Sequence, residues 1–208
     1  MKVLNLTKGS KVYTSNVFLI LGDWNAIEDV NTLVDAGRDP LLLNAINKVS
    51  TGVGKHQIEQ VVLTHCHYDH ANLVPQIKET YGAKAFAYTS SLVGIDVILK
   101  GGEQLRMGDR YFEVLYTPGH SSDSICLYCA AEKVLFSGDT PVSVVTPGGS
   151  HEEGFVQALE GLCRRDIETI YPGHGDPILD GNALLRRTLK NVRSGRIIPN
   201  NEGKENRG

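Results

Sequence analysis

The run Val61-Val62-Leu63-Thr64-His65-Cys66-His67-Tyr68-Asp69-His70 sets three imidazoles and a carboxylate within six residues, straight after an apolar segment that reads as a strand. No packing requirement asks for such a cluster. Neutral imidazole is the commonest metal ligand in proteins, and carboxylates join it in zinc and iron sites. A strand ending at Thr64 hands over to a loop, and a loop can turn several side chains towards one point. The two-residue alternation of a strand puts His65 and His67 on one face. Asp69 and His70 then need a bend to face a second centre. A His-rich surface turn is the alternative reading.

Three later stretches count against that alternative. Each ends an apolar run in a turn that carries a ligand-type residue. Tyr111 to Tyr116 leads into Thr117-Pro118-Gly119-His120, Val134-Leu135-Phe136 into Ser137-Gly138-Asp139-Thr140, and Ile167 to Tyr171 into Pro172-Gly173-His174-Gly175. The succession HxHxDH, PGH, GD and PGHG resembles the metallo-β-lactamase-fold superfamily. Asn16-Val17-Phe18-Leu19-Ile20 and Leu33-Val34-Asp35-Ala36-Gly37 resemble its two opening strands. The resemblance runs from about Val3 to His174, and the full ligand set looks most like the glyoxalase II and lactonase branches.

That resemblance implies an α/β (α+β) fold, the four-layer αββα sandwich, with the ligands on loops along one edge of two sheets. It implies that His65, His67 and His120 hold a first metal, that Asp69, His70 and His174 hold a second, and that Asp139 bridges them. Two divalent ions about 3.5 Å apart can clamp a water and lower its pKa towards neutral, giving a bridging hydroxide nucleophile. Asp69, beside that water, is the expected catalytic residue. The nitrogen-and-oxygen donor set suits zinc first, and iron or manganese as well. The implied function is a dinuclear hydrolase of a small thioester, or of an ester such as a lactone. Two alternatives stand beside it: a mononuclear iron enzyme of the persulfide dioxygenase type, and a metal-binding module without catalysis. The flavin-linked diiron branch has a glutamate where His67 stands here, which argues against oxygen or nitric oxide reduction.

Glyoxalase II proteins grip glutathione with a helical carboxyl-terminal domain, whereas 34 residues follow His174 here. The pocket is therefore expected to be built from loops of one domain, open and shallow, or completed by a second copy in a homodimer. By the family pattern the loop around Val12, Tyr13 and Thr14 and the loop Thr140 to Ser150 would overhang the site, whereas His151, at the end of the second, reads as a solvated loop histidine with a place in the pocket as the alternative.

The 208 residues suit one domain, read as 1–198, followed by a polar tail, 199–208. A net charge of −3 gives no reason to expect a nucleic-acid partner. The sequence starts without a charged-then-apolar leader and has no bilayer-length apolar run, so a cytoplasmic protein with a small-molecule substrate and no membrane partner is expected. The four cysteines form no disulfide framework. Cys126 and Cys129 sit three apart on a strand, which points them to opposite faces. Cys66 is expected to turn into the core and Cys163 to lie on a helix's apolar face.

Further elements follow from pattern. Residues 3 to 21 read as strand, turn, strand, and Val30 to Val34 as the next strand. Trp24 reads as an anchor packed at the turn between them. Asp39 reads as a helix N-cap with Pro40 at the first position, and Gly52-Val53-Gly54 as the end of that helix. His56 reads as a surface residue. Asn72 reads as the cap of a helix containing Leu73, Ile77 and Tyr81, closed by Gly82. Ser90 to Leu99 is compatible with a short helix. Helices are expected around Phe155 to Cys163 and from Asn182 to Arg193. Strands that do not alternate in polarity point to sheets covered on both faces.

Overall fold

The computed structural model of the chain describes residues 1–52 and 54–200. Val53 of the expected helix end and positions 201–208 of the expected tail lie outside the described residues. Among the described residues, twelve strands form two six-stranded sheets and two more form a separate pair. The first runs in the order β1 (Lys2–Asn5), β2 (Phe18–Leu21), β3 (Thr32–Val34), β4 (Gln60–Val62), β5 (Lys84–Ala87) and β6 (Val97–Ile98). The second runs β13 (Ile178–Leu179), β12 (Thr169–Pro172), β10 (Val134–Gly138), β9 (Ile125–Cys129), β8 (Arg110–Tyr116) and β7 (Gln104–Met107).

Three apolar clusters correspond to the three interfaces of a four-layer sandwich. Phe18, Ile20, Val34 and Val62 of the first sheet meet Phe112, Val114, Leu127 and Phe136 of the second. Leu19, Leu33, Val61 and Leu63 face the other way, against Leu42 and Ile46 of α1 (Leu41–Asn47) and Val74 and Ile77 of α3 (Val74–Tyr81). Cys126, Leu135 and Ile170 face α4 (Glu153–Cys163) and α5 (Gly181–Arg193), which supply Phe155, Leu159, Leu162, Leu185 and Val192. Both faces of β2, β9 and β10 are thus buried, which explains their unbroken apolar sequence. Cys126 and Cys129 fall in different clusters, on opposite faces of β9. Cys66 packs against the first sheet's helical layer, and Cys163 against the second's. No helix among the described residues is long and apolar enough to cross a membrane.

Several local expectations are corrected. Trp24 is 91% exposed rather than packed. It lies in the turn before β3, at the opposite edge from the turn after β3 that carries Asp35. Ser90 to Leu99 contains no helix: β6 pairs in parallel with β5, because the Asp96 carboxylate accepts the Ala85 N–H and pins the segment there. Asn72 closes α2 (Tyr68–Ala71) instead of capping α3, whose N-cap is Leu73. The Asp39 carboxylate does accept the Leu41 N–H, but the helix starts one residue later, with Pro40 at the N-cap. The end of the Thr140 to Ser150 loop is a strand, β11 (Ser150–Glu152), paired in parallel with β14 (Arg196–Ile198). That pairing joins segments far apart in sequence and leaves no local pattern to read.

Candidate metal centre

The turns after β3, β4, β8, β10 and β12 all open on one edge of the sandwich, and each carries one part of the site. His65 follows β4 and is buried. Beyond His67 the chain makes the single helical turn α2, in which the His70 and Ala71 N–H groups both donate to the His67 carbonyl. That turn supplies the bend required by the spacing: it redirects Asp69 and His70 away from the direction of His65 and His67. Ala36 and Gly37 donate N–H bonds of 2.7 and 2.9 Å to the His70 carbonyl, fixing the turn against the end of β3.

All seven predicted ligand residues meet there. Ligand atoms of His65, His67 and His120 lie within 4.8 Å of one another, as do those of Asp69, His70 and His174. Asp139 stands between the groups: Oδ1 is 3.4 Å from His70 Nε2, and Oδ2 is 3.5 Å from His120 Nε2 and 3.6 Å from His174 Nε2. Asp69 Oδ2 is 3.2 Å from His174 Nε2 and 3.9 Å from His70 Nε2.

The donor set fits cations. His67 Nδ1 lies 3.0 Å from His65 Nε2 and 2.9 Å from His120 Nε2, so three ring nitrogens crowd one point. Neutral imidazoles present one N–H and one lone pair each, and a positive centre between the lone pairs would suit such crowding. His70 Nε2 and His174 Nε2 are buried without a hydrogen-bond partner among the described residues. A buried polar atom left unpaired costs about 1–3 kcal/mol, and a metal ligand bond removes that cost. Gly173 makes room for the cluster: a Cβ there would lie 2.2 Å from Asp139 Oδ1 and 2.7 Å from His70 Cε1.

Residues without an assigned role in the sequence reading hold these ligands in place. Asp35, at φ 62°, puts Oδ2 2.9 Å from His70 Nδ1 and accepts the Thr64 N–H and hydroxyl through Oδ1 and Oδ2. Thr64 Oγ1 in turn lies 3.2 Å from His65 Nδ1. One carboxylate therefore orients two histidines and leaves their Nε2 atoms aimed at the cluster. The sequence did carry a signal, an aspartate directly after the apolar Leu33-Val34 and before Ala36-Gly37, the same strand-then-acid pattern as Asp139. Asn16 donates through Nδ2 to the Pro172 and Gly175 carbonyls and so braces the turn of His174. Asp123 accepts the Cys66 N–H and bonds Ser121, tying the turn of His65 to that of His120.

The electrostatics follow from burial and these partners. Burial foremost, and then the charge of His70, depresses His65 to about 4. Burial opposes a charge on His70 too, but the Asp35 and Asp139 carboxylates outweigh it and raise His70 to about 10. Asp139 is held at about 2: burial works against its ionisation, and His70, 3.4 Å away, overcomes it. Burial, with Asp123 nearby, pushes the Cys66 thiol up to about 12, so it is neither a thiolate ligand nor a nucleophile at neutral pH.

Of the two expected overhanging loops, the first contributes Tyr13, 70% exposed, whose ring stacks on His174 with centroids 5.2 Å apart at 16°. His151 lies in β11, where its Nε2 pairs with the Gly148 carbonyl and its ring sits beside Phe155. His56 is exposed.

The family model described as the metallo-beta-lactamase superfamily matches residues 11–95 and 87–174. A hydroxyacylglutathione hydrolase of Francisella tularensis subsp. novicida (strain U112) is 36% identical over 107 residues, covering 50% of this chain and 42% of that protein. A hydroxyacylglutathione hydrolase of Bartonella tribocorum (strain CIP 105476 / IBS 506) is 30% identical over 163 residues, covering 75% of this chain and 61% of that protein. The matched region thus spans less than two thirds of either relative. The crystal structure of ETHE1 from Myxococcus xanthus superposes with a TM-score of 0.69 at 20% identity, covering 93% of this chain and 85% of that one, a likeness of fold.

Proposed function

Because the chain belongs to the metallo-beta-lactamase superfamily, we propose that it is a metal-dependent hydrolase of a small thioester, or of an ester such as a lactone. The observation that carries this reading is the convergence of seven ligand residues with His70 Nε2 and His174 Nε2 buried and unpartnered. His65, His67 and His120 would hold one divalent cation, Asp69, His70 and His174 a second, and Asp139 would serve both. When bound, the pair would polarise a substrate carbonyl and lower the pKa of a water towards neutral. Zinc is the first choice, since hydrolysis needs a Lewis acid and no redox change.

The chain's own groups do the rest. Asp35 holds the His70 Nδ1–H, so Nε2, once it gives up its own proton, would be the ring nitrogen that binds. Asp139, ionised at any neutral pH, offsets cationic charge at the centre of the cluster. Asp69, half-buried and close to His174 Nε2, orients the attacking water and accepts its proton on a carboxylate oxygen. Tyr13, stacked over His174 at the rim, offers an exposed ring and hydroxyl to the substrate. Both relatives are hydroxyacylglutathione hydrolases, which makes a thioester the first class to test, with glutathione as one carrier among several.

The test is metal analysis of the purified protein beside a screen of thioesters, lactones, β-lactams and phosphodiesters. Two equivalents of zinc are expected, with thioester or lactone turnover that a chelator removes and zinc restores. A single iron with oxygen consumption on a persulfide, and no hydrolysis, overturns the reading.

A further inference from the structure

Beside the metal centre, and sharing His120 with it, a groove of about 850 Å³ runs between β8 and α4. The recess over Asp139 and His174 is smaller, about 370 Å³, and also reaches His120. The groove exists because the helix offers little bulk to the strand. Gly154, Ala158 and Gly161 follow one another at helical spacing and share a face of α4. Opposite them stands Leu115 on the outward face of β8, half-buried, and Leu162 completes an apolar floor. The far end is closed. Arg165 donates through Nε and Nη2 to both oxygens of Glu113, at 3.1 and 2.6 Å, and through Nη1 to the Gly161 carbonyl at 2.7 Å. Near the mouth, Asn200 Oδ1 accepts the Gly154 N–H and forms part of the wall.

We propose that this groove is the substrate's acyl subsite: the substrate is a thioester or ester with an extended, mainly apolar acyl chain that leaves the reacting carbonyl at His120 and runs over Leu115, Ala158 and Leu162 towards Arg165. The proposal rests on the hydrolase reading above and adds the substrate class. Length supports it. The four strand steps from Glu113 to Thr117 span about 13 Å, far more than a short acyl group occupies. Polarity selects the occupant. Leu115, Ala158 and Leu162 give the groove an apolar floor between polar rims, and of its two lining cations Arg165 is already engaged by Glu113 while Lys100 stands exposed at the rim. Glu152 lines the groove as well, and with Glu113 it offsets Lys100 and Arg165, so a phosphorylated carrier finds no surplus of positive charge to bind it. An acyl chain needs none.

The test is a chain-length series of thioesters, from acetyl to dodecanoyl on one thiol, with the wild type, Ala158→Phe and Gln157→Trp. Ala158→Phe fills the groove from the helix. Gln157→Trp narrows it from an exposed rim position where folding is not at stake. In the wild type, kcat/KM should rise about two- to fourfold per added methylene until the chain reaches the closed end, the gain from burying each one. In both variants the ratio of long-chain to short-chain kcat/KM should fall at least tenfold. A flat series in the wild type, or the same slope in the variants, overturns the proposal. Should no thioester or ester be hydrolysed, the same proteins are read by binding of a fluorescent dodecanoic acid. Binding weakened at least fivefold in both variants then supports the groove, and absent or equal binding overturns it, separately from the fate of the hydrolase reading.

Discussion

Asp35 Oδ2 lies 2.9 Å from His70 Nδ1, and the two side chains are 2% and 0% exposed. The pair joins the end of β3 to α2, and through Thr64 it reaches His65 as well. Asp35→Ala would strand the His70 Nδ1–H and the Thr64 N–H and hydroxyl in a dry site. It would also force alanine into a left-handed backbone. A loss of about 3 kcal/mol is expected from the unpaired buried groups. Asp35→Asn tolerates that backbone better but lacks the charge, so it should fold and bind metal roughly 10- to 100-fold more weakly. Denaturant melts beside metal titrations check both. Wild-type metal affinity in Asp35→Asn would contradict the orienting role.

Asp139 is the one ligand residue whose two oxygens face both groups of histidines. Removing a terminal ligand such as His174 should weaken mainly one metal, whereas Asp139→Ala should weaken both. Hydrolysis should fall about a thousandfold or more, with the loss of negative charge that offsets two dications. Asp139→Asn should be nearly as poor. Metal content by mass spectrometry, with circular dichroism as the folding control, reads this directly. A folded Asp139→Ala that keeps two metals and near-normal turnover removes the bridging assignment.

Gly173 is expected to tolerate no side chain. A methyl group there would meet Asp139 Oδ1 at 2.2 Å and His70 Cε1 at 2.7 Å. Gly173→Ala should displace one or both and lower metal occupancy and turnover together. Gly175→Ala is the control. Its Cβ meets nothing within 4 Å, although φ is +86°, so it should cost about 1–2 kcal/mol of backbone strain with metal binding kept.

The ligand histidines give the chelator-treated protein a defined pH response. His70 is raised from 6.5 to about 10, so its contribution is complete below pH 6.5 and is lost as pH climbs towards 10. His65 is lowered to about 4, so stability is lost as pH falls from 6.5 to 4. Asp139, lowered to about 2, adds a loss only as pH falls below 3.8. Thermal melts after chelation should therefore peak near pH 6.5. Added zinc must displace the His70 proton, so its stabilising effect should grow as pH rises through neutrality. A melting temperature that climbs steadily from pH 4 to 9 after chelation would count against these assignments.

Trp24 supplies a negative control. It is 91% exposed, in the turn before β3, at the edge away from the metal ligands. Trp24→Ser should change stability by no more than about 0.5 kcal/mol and leave metal content and kcat/KM unaltered. A drop in turnover would place this edge in contact with the reaction.

The proposed ligand positions were legible in the sequence because four apolar runs end in short turns that carry ligand-type residues, in an order that resembles one family. His65, His67, Asp69 and His70 follow one run and His120, Asp139 and His174 the other three, whereas local chemistry alone did not separate Asp35 from Asp139. The strands were legible for a related reason: β2, β9 and β10 are buried on both faces, so their apolar runs are unbroken. What only the tertiary structure decided depends on partners distant in sequence. Asp35 acquires its role from His70, 35 positions away. Gly173 matters for the space between Asp139 and His70. β11 exists because Arg196–Ile198 returns to pair with it, and Trp24 is exposed because no element among the described residues covers its side chain. A sequence states which groups are available within a few residues. Which distant group fills a given hydrogen bond or cavity is set by the packing of the whole chain.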